Sequence, residues 1–219
     1  MKDKDLDKDL QSIQTYWDTR AGSFADDCEK VDSSKRSQLM RFEAFLQLHP
    51  LSGKSVLDVG CGVGDLFAYL QAKHIDTDYT GFDISPVMVA RCNERFPNAT
   101  FESGNFLDWE PTRRFDYAVA VGIHNNVRTE HNKGLLKAIT KKQFDLCSVA
   151  AHVSILTDRY EKFAPHMQAW RAEEVLELAL DITPYVLLRH DYLPHDFSVI
   201  LYHEPLIDTR KDLLDSLRA

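Results

Sequence analysis

The residues best placed for chemistry begin with an acid and three glycines, in the stretch Val56-Leu57-Asp58-Val59-Gly60-Cys61-Gly62-Val63-Gly64-Asp65-Leu66. The apolar, β-branched run that leads in reads as a buried parallel strand. Gly60, Gly62 and Gly64 follow at alternate positions, and a helical pattern opens at Leu66. Glycine is needed where the backbone turns sharply, or where a ligand must approach it with no Cβ in the way. A strand, a glycine turn and a helix make the first half of a nucleotide-binding βαβ unit; a tight turn with no ligand is the plainer reading. Asp83 follows Gly60 by 23 residues, at the end of the next apolar run. An acid about 20 residues past such a loop can accept hydrogen bonds from both hydroxyls of a ribose. A third group, His124, Asn125 and Asn126 with Arg128 and His131 close by, lies just past the apolar run Phe115-Asp116-Tyr117-Ala118-Val119-Ala120-Val121-Gly122. Ligands of an open parallel sheet bind beyond the carboxyl ends of its strands. His124, whose ordinary pKa lies near neutrality, is there either a general base or a strand-end histidine that packs locally.

The spacing separates two cofactor classes. Dinucleotide folds use G-x-G-x-x-G, with a pyrophosphate on the helix N-terminus. Here the spacing is G-x-G-x-G with Asp58 two residues ahead. This resembles the first motif of the class I S-adenosylmethionine-dependent methyltransferases, and the resemblance extends over about residues 53–202. It implies that Gly60 and Gly62 lie against the methionine and ribose of S-adenosylmethionine, that Asp58 helps hold the amino group, and that Asp83 holds the ribose. The run Asp83-Ile84-Ser85-Pro86-Val87-Met88 is similar to the family's acid, apolar residue, Ser and Met, and implies that Ile84 and Met88 flank the adenine. At Ser103-Gly104-Asn105-Phe106 many members carry Gly-Asp and an apolar residue. Asn105 departs from that acid but keeps a carbonyl acceptor for the adenine amino group, and Phe106 would stack on the adenine edge. Cys61 in the loop and Val121 at the end of the fourth strand are assigned to the same site. Near the start, Tyr16, Trp17, Arg20 and Phe24 loosely match an aromatic and arginine cap that folds over the cofactor, and Tyr16 and Arg20 join the expected cofactor contacts. Packing of Tyr16 and Trp17 onto the domain is the competing account. The Asn/Asp-Pro-Pro-Tyr signature of enzymes that methylate exocyclic amines of bases or glutamine amides is missing.

Elements must position these groups. Residues 10–20 and 33–49 read as amphipathic helices, the second capped by Ser33 or Ser34, and the first dozen residues as frayed. Ser85-Pro86 is a helix start, with serine as N-cap and proline at the first helical position. Strands are expected over 79–83, 99–102, 115–122 and 148–156, and helices over 130–143 and 173–180. His152 reads as a satisfied buried histidine. Residues 157–170 are irregular and aromatic, either a substrate lid or a surface connection. Runs 184–190 and 196–203 form a hairpin. The expected fold is α/β: a doubly wound, mostly parallel seven-stranded sheet of the Rossmann-like methyltransferase kind, with a terminal antiparallel hairpin and an N-terminal helical cap. The expected organisation is a cap over 1–52 within the same domain, an S-adenosylmethionine-binding domain over 53–205, and a tail over 206–219 whose residues from 208 read as a short solvated helix.

Composition narrows the partners. With 219 residues, 44% hydrophobic, the chain can build a full core as one domain. Its formal net charge of -8 has no overall attraction for nucleic acid, and no long Lys/Arg run supplies a local one. No segment is apolar for long enough to span a membrane. Cys28, Cys61, Cys92 and Cys147 are scattered, without a C-x-x-C pair, and suggest neither a disulfide framework nor a metal site. The start carries neither a signal nor a transit pattern, so the cytoplasm is expected. The resemblance implies a methyltransferase acting through O, N or C of its acceptor, and the acidic charge favours a small-molecule acceptor over RNA. The alternatives are a catalytically silent domain of the same fold that binds a protein partner, and a nicotinamide-dependent oxidoreductase, against which the glycine spacing and the terminal hairpin speak.

Overall fold

The computed structural model describes residues 4–23, 34–125, 131–160, 163 and 167–207. Phe24, Cys28, Ser33, Asn126, Arg128 and the tail from residue 208, all named above, lie outside them, as do residues 130 and 166 of the ranges given. In chain order the elements are α1 (Lys4–Ser23), α2 (Lys35–Leu46), β1 (Lys54–Val59), α3 (Asp65–Ala72), β2 (Thr77–Asp83), α4 (Pro86–Arg95), β3 (Thr100–Ser103), β4 (Phe115–Val121), α5 (Asn132–Leu146), β5 (Cys147–Leu156), α6 (Ala172–Leu180), β6 (Val186–Leu193) and β7 (Asp196–Tyr202). Short 3-10 turns at Phe106–Asp108 and Ile123–Asn125 follow β3 and β4.

One sheet of seven strands runs β3-β2-β1-β4-β5-β7-β6. β1 to β5 are parallel, and β7 enters antiparallel between β5 and β6. The alternation of side chains along a strand divides the core. Leu57, Val59, Ala118 and Ala120 face α5 and α6, whereas Val56, Tyr117 and Val119 face the side covered by α2, α3 and α4. Both faces are apolar, as a parallel sheet covered on both sides requires. The order reverses between β1 and β4, so the carboxyl ends of those strands open a crevice there.

The frayed start is corrected: α1 begins at Lys4, because Leu6, Leu10, Ile13 and Trp17 continue one helical stripe upstream. α2 begins one residue after Ser34, whose hydroxyl accepts from the Ser37 amide, 3.2 Å. Its far end is tied across the fold: Arg189 of β6 donates to the Ala44 carbonyl and the Gln47 side chain. The hairpin turns through Pro194 and His195 alone, and β6 runs on to Leu193.

His152 is buried but not satisfied, which corrects the expectation for it. Neither ring nitrogen has a partner among the described residues. It lies beneath α2 against Phe45 and His49 and does not line the crevice, and burial holds its pKa well below the ordinary value.

Candidate active site

The crevice at the carboxyl ends of the strands is a cavity of about 260 Å3. Its floor is the glycine loop. Gly60, Gly62 and Gly64 all have positive φ, at 78°, 56° and 81°, a region that L side chains enter at a cost of roughly 1–2 kcal/mol. The Gly60 and Cys61 amides donate to the Phe82 carbonyl at 2.7 and 3.1 Å, which fastens the loop to β2. A Cβ on Gly60 would stand 2.0 Å from Ile123. On Gly62 it would meet only the Met88 sulfur, at 3.9 Å, and so would stand in the cavity itself. That glycine leaves room for a ligand against the backbone.

Asp83 ends β2 and points back at the loop. Its carboxylate accepts from the Gly62 amide at 2.9 Å and the Ser85 amide at 2.8 Å. Burial raises its pKa, and those amides pull the other way. Ser85 caps α4 by accepting from the Met88 amide at 3.2 Å, an arrangement that contributes roughly 1 kcal/mol to such a helix. The same hydroxyl donates to Asp18 of α1 at 2.5 Å. Asp58 lies deeper, accepting a hydrogen bond from the Tyr79 hydroxyl. Burial pushes its pKa up to about 7, the Tyr79 bond opposes that rise, and the nearby Asp83 charge adds to it.

Along the walls, Cys61, Ile84, Met88, Asn105, Phe106 and Val121 all reach the cavity. Asn105 is engaged close to home, where its carbonyl oxygen accepts from the Leu107 amide at 3.1 Å and its amide donates to Asp108 at 2.9 Å. Phe106 is buried against Phe82, ring centres 5.6 Å apart. His124 sits in the turn after β4, buried and lining the cavity. Its Nε2 has no partner among the described residues, and burial drives its pKa down to about 3. Asn125 serves as a brace: its side-chain oxygen accepts from the Leu156 amide, and its backbone carbonyl accepts from the Gln168 amide. Trp170 donates its indole N–H to the His124 carbonyl at 2.9 Å. The aromatic stretch before α6 therefore ends inside the wall of the cavity.

Two expected contacts are misplaced. Tyr16 and Arg20 do not line the cavity; Leu10, Ile13 and Trp17 of α1 do. The reason is helical phase: 10, 13 and 17 share one stripe, and 16 and 20 the neighbouring one. Arg20 instead donates to the Tyr16 hydroxyl at 3.2 Å and lies over its ring. Trp17 packs on Val63 and Met88. α1 crosses the cavity between two fastenings, Asp18 to Ser85 and Asp9 to Nδ1 of His131, the latter at 2.8 Å.

Among the lining residues that the sequence reading did not assign to the site are Gln38 and Arg41 of α2. Gln38 donates to Asp65 at 3.2 Å while its buried Oε1 has no partner among the described residues. Arg41 is buried, and its Nε donates to Asp196 at 2.7 Å. The available signal was their spacing, since 38, 41, 42 and 45 form one stripe, which places a charge among phenylalanines. Among the described residues no group of three or more His, Cys, Asp or Glu side chains could hold a metal, and no helix is long and apolar enough to cross a membrane.

Comparison with known proteins agrees with this geometry. Residues 56–142 match the family described as "Methyltransferase domain". A putative methyltransferase of Mycobacterium tuberculosis is 46% identical over 74 residues, 32% of this chain and 42% of that protein. Trans-aconitate 2-methyltransferase of Escherichia coli is 34% identical over 65 residues, 30% of this chain and 26% of the relative. The matches thus span less than half the length of these curated relatives. Among solved structures, magnesium protoporphyrin IX methyltransferase of Synechocystis, with bound SAH, superposes with a TM-score of 0.65 at 13% identity, over 90% of this chain and all of that one. Over residues 56–142 the chain is thus similar to a methyltransferase domain, and its seven-stranded fold is that of the solved S-adenosylmethionine-dependent methyltransferases.

Proposed function

We propose that the chain transfers a methyl group from S-adenosylmethionine to a small-molecule acceptor, at an oxygen, nitrogen or carbon atom. The observation that carries this reading is Asp83, a buried carboxylate held 2.9 Å from the Gly62 amide beside a loop whose Cβ-free face opens into the cavity. S-adenosylmethionine supplies an electrophilic sulfonium methyl when bound. The remaining contributions are the chain's own. Asp83 receives the ribose hydroxyls and Asp58 the amino group. Ile84, Met88 and Phe106 enclose the adenine, and the second lone pair of the Asn105 carbonyl remains for its amino group. Cys61 and Val121 supply walls; Tyr16 and Arg20 act through Trp17 and α1. Catalysis comes from positioning in a water-poor cavity. His124, neutral at physiological pH, accepts a hydrogen bond from the acceptor's O–H or N–H and orients its lone pair; deprotonation by so weak a base requires an acceptor that lifts its pKa.

Two of the three similar proteins, those for trans-aconitate and magnesium protoporphyrin IX, act by their names on small molecules, and the solved one holds SAH. Residues 1–52 serve as a cap within the same domain, 53–205 carry the reaction and 206–219 form a tail. The net charge of -8 disfavours nucleic acid as partner. Among the described residues Cys61, Cys92 and Cys147 are buried free thiols, which suits the cytoplasm. No observation favours the catalytically silent reading, whose partner would have no use for an open loop and an intact Asp83. Calorimetry tests the proposal: micromolar binding of S-adenosylmethionine and S-adenosylhomocysteine is expected, followed by methyl transfer to members of a metabolite panel. No binding at millimolar cofactor would refute it.

A further inference from the structure

Arg41 is a buried cation in the cavity wall that the cofactor contacts proposed above leave unassigned. It lies on α2, and its Nε donates to Asp196, the first residue of β7. Asp196 is wholly buried and is served by two more donors, the Ser154 hydroxyl at 2.7 Å and the Tyr192 hydroxyl. A guanidinium carries five N–H donors. One is engaged here; neither Nη nitrogen of Arg41 has a partner among the described residues, although the side chain is nine-tenths buried and lines the cavity. The free end of the fork is open to the cavity, where a ligand can meet it. Its plane and spacing match a carboxylate, bound through two parallel hydrogen bonds.

Place in the sheet says whose carboxylate. Asp196 pairs with Leu156 at the end of β5, and the order β1-β4-β5-β7 sets it three strand spacings from β1, about 14 Å at the usual ~4.8 Å per strand. The glycine loop and Asp83 stand at β1 and β2. We infer that Arg41 holds the carboxylate of the acceptor, so that the substrate class is a carboxylic acid with an apolar body, resting against Phe42, Leu156 and Trp170. The carboxylate is an anchor and not the methylated group, because the end of β4, where transfer takes place, is two strand spacings, about 10 Å, away. Gln38, with its free carbonyl oxygen on the same helix, offers an acceptor for a donor group of the same molecule. This inference deepens the methyltransferase reading and rests on it for the word acceptor.

Calorimetry on the full chain, with and without S-adenosylhomocysteine, tests it using 3-phenylpropionate, indole-3-acetate and hexanoate beside their primary amides. The acids should bind at least tenfold tighter than the amides. Arg41→Met combined with Asp196→Asn, which leaves no charge buried alone, should remove that preference while S-adenosylhomocysteine affinity stays within twofold. Equal binding of acid and amide, no binding of the acids, or an acid preference that survives in the double variant would overturn the inference. So would a tenfold loss of S-adenosylhomocysteine affinity in that variant, since Arg41 would then hold the methionine carboxylate. Acid selectivity in a wild-type protein that binds no S-adenosylhomocysteine would leave the carboxylate site standing and refute the methyltransferase reading alone.

Discussion

Replacing Asp58 by asparagine should stabilise the ligand-free protein, and more so at higher pH. Burial raises the Asp58 pKa to about 7, against roughly 3.9 in an unfolded chain. An acid with a raised folded-state pKa favours folding when protonated. That contribution is full below about pH 4 and is lost as the pH climbs through about 7. The shift of about three units corresponds to about 4 kcal/mol over the full range, of which about 2.5 kcal/mol falls between pH 5 and pH 8. No solvent discount applies, since Asp58 is only 4% exposed. Asparagine keeps an oxygen for the Tyr79 hydroxyl and carries no charge, and it relieves Asp83 of a like neighbour, which acts in the same direction. In a chain of this size, about 2.5 kcal/mol is worth some 5–10 °C in melting temperature. Thermal unfolding of both proteins at pH 5, 6, 7 and 8 reads this as a gap that widens with pH, other titrations cancelling in the difference. Added S-adenosylmethionine should narrow the gap at pH 8, because its ammonium favours the ionised carboxylate that asparagine lacks. Parallel curves would refute the reasoning, and would mean that Asp58 is hydrated or already paired.

Asp83→Ala should weaken S-adenosylmethionine binding by ~1.5–3 kcal/mol through loss of charge-assisted bonds; unchanged affinity in calorimetry would remove Asp83 from the ribose site. Gly60→Ala combines a positive φ with a Cβ 2.0 Å from Ile123, so a loss of roughly 2–4 kcal/mol of stability is expected in denaturant titration, and Ile123→Ala in the same chain should return part of it. His124→Ala should lower turnover and leave cofactor affinity alone; equal turnover in the two proteins would exclude His124 from the mechanism.

Local chemistry was the legible part of this fold. The loop 60–64, Asp83 and the Ser85-Pro86 start lie where spacing placed them, because each is fixed by backbone geometry within a few residues: a positive φ, a strand end, an N-cap. The terminal hairpin was legible from two β-rich runs, although its turn proved shorter than their spacing suggested. What failed depends on phase and on distance in sequence. Tyr16 and Arg20 were assigned to the cavity by type, yet a shift of one residue around a helix gave the place to Trp17. Arg41 went unnoticed because its partner, Asp196, is 155 residues away. Asn105 kept the expected position but took up local capping, which residue type alone does not reveal. His152 was legible as buried but not as unpartnered, since that depends on what α2 brings over it.

The two fastenings of α1 bear on the order of events in turnover. Asp18 grips the start of α4, beside the cofactor half of the cavity, and Asp9 grips His131, at the start of α5 and beside the acceptor half. One helix therefore lies over both proposed halves of the cavity. A ligand that leaves either compartment past α1 must break a fastening and the Trp17 contact together, so the two occupants share a single gate. The release rates of methylated product and spent cofactor should then be set by the same opening, with similar dependence on temperature, and weakening one fastening should speed the exit of both.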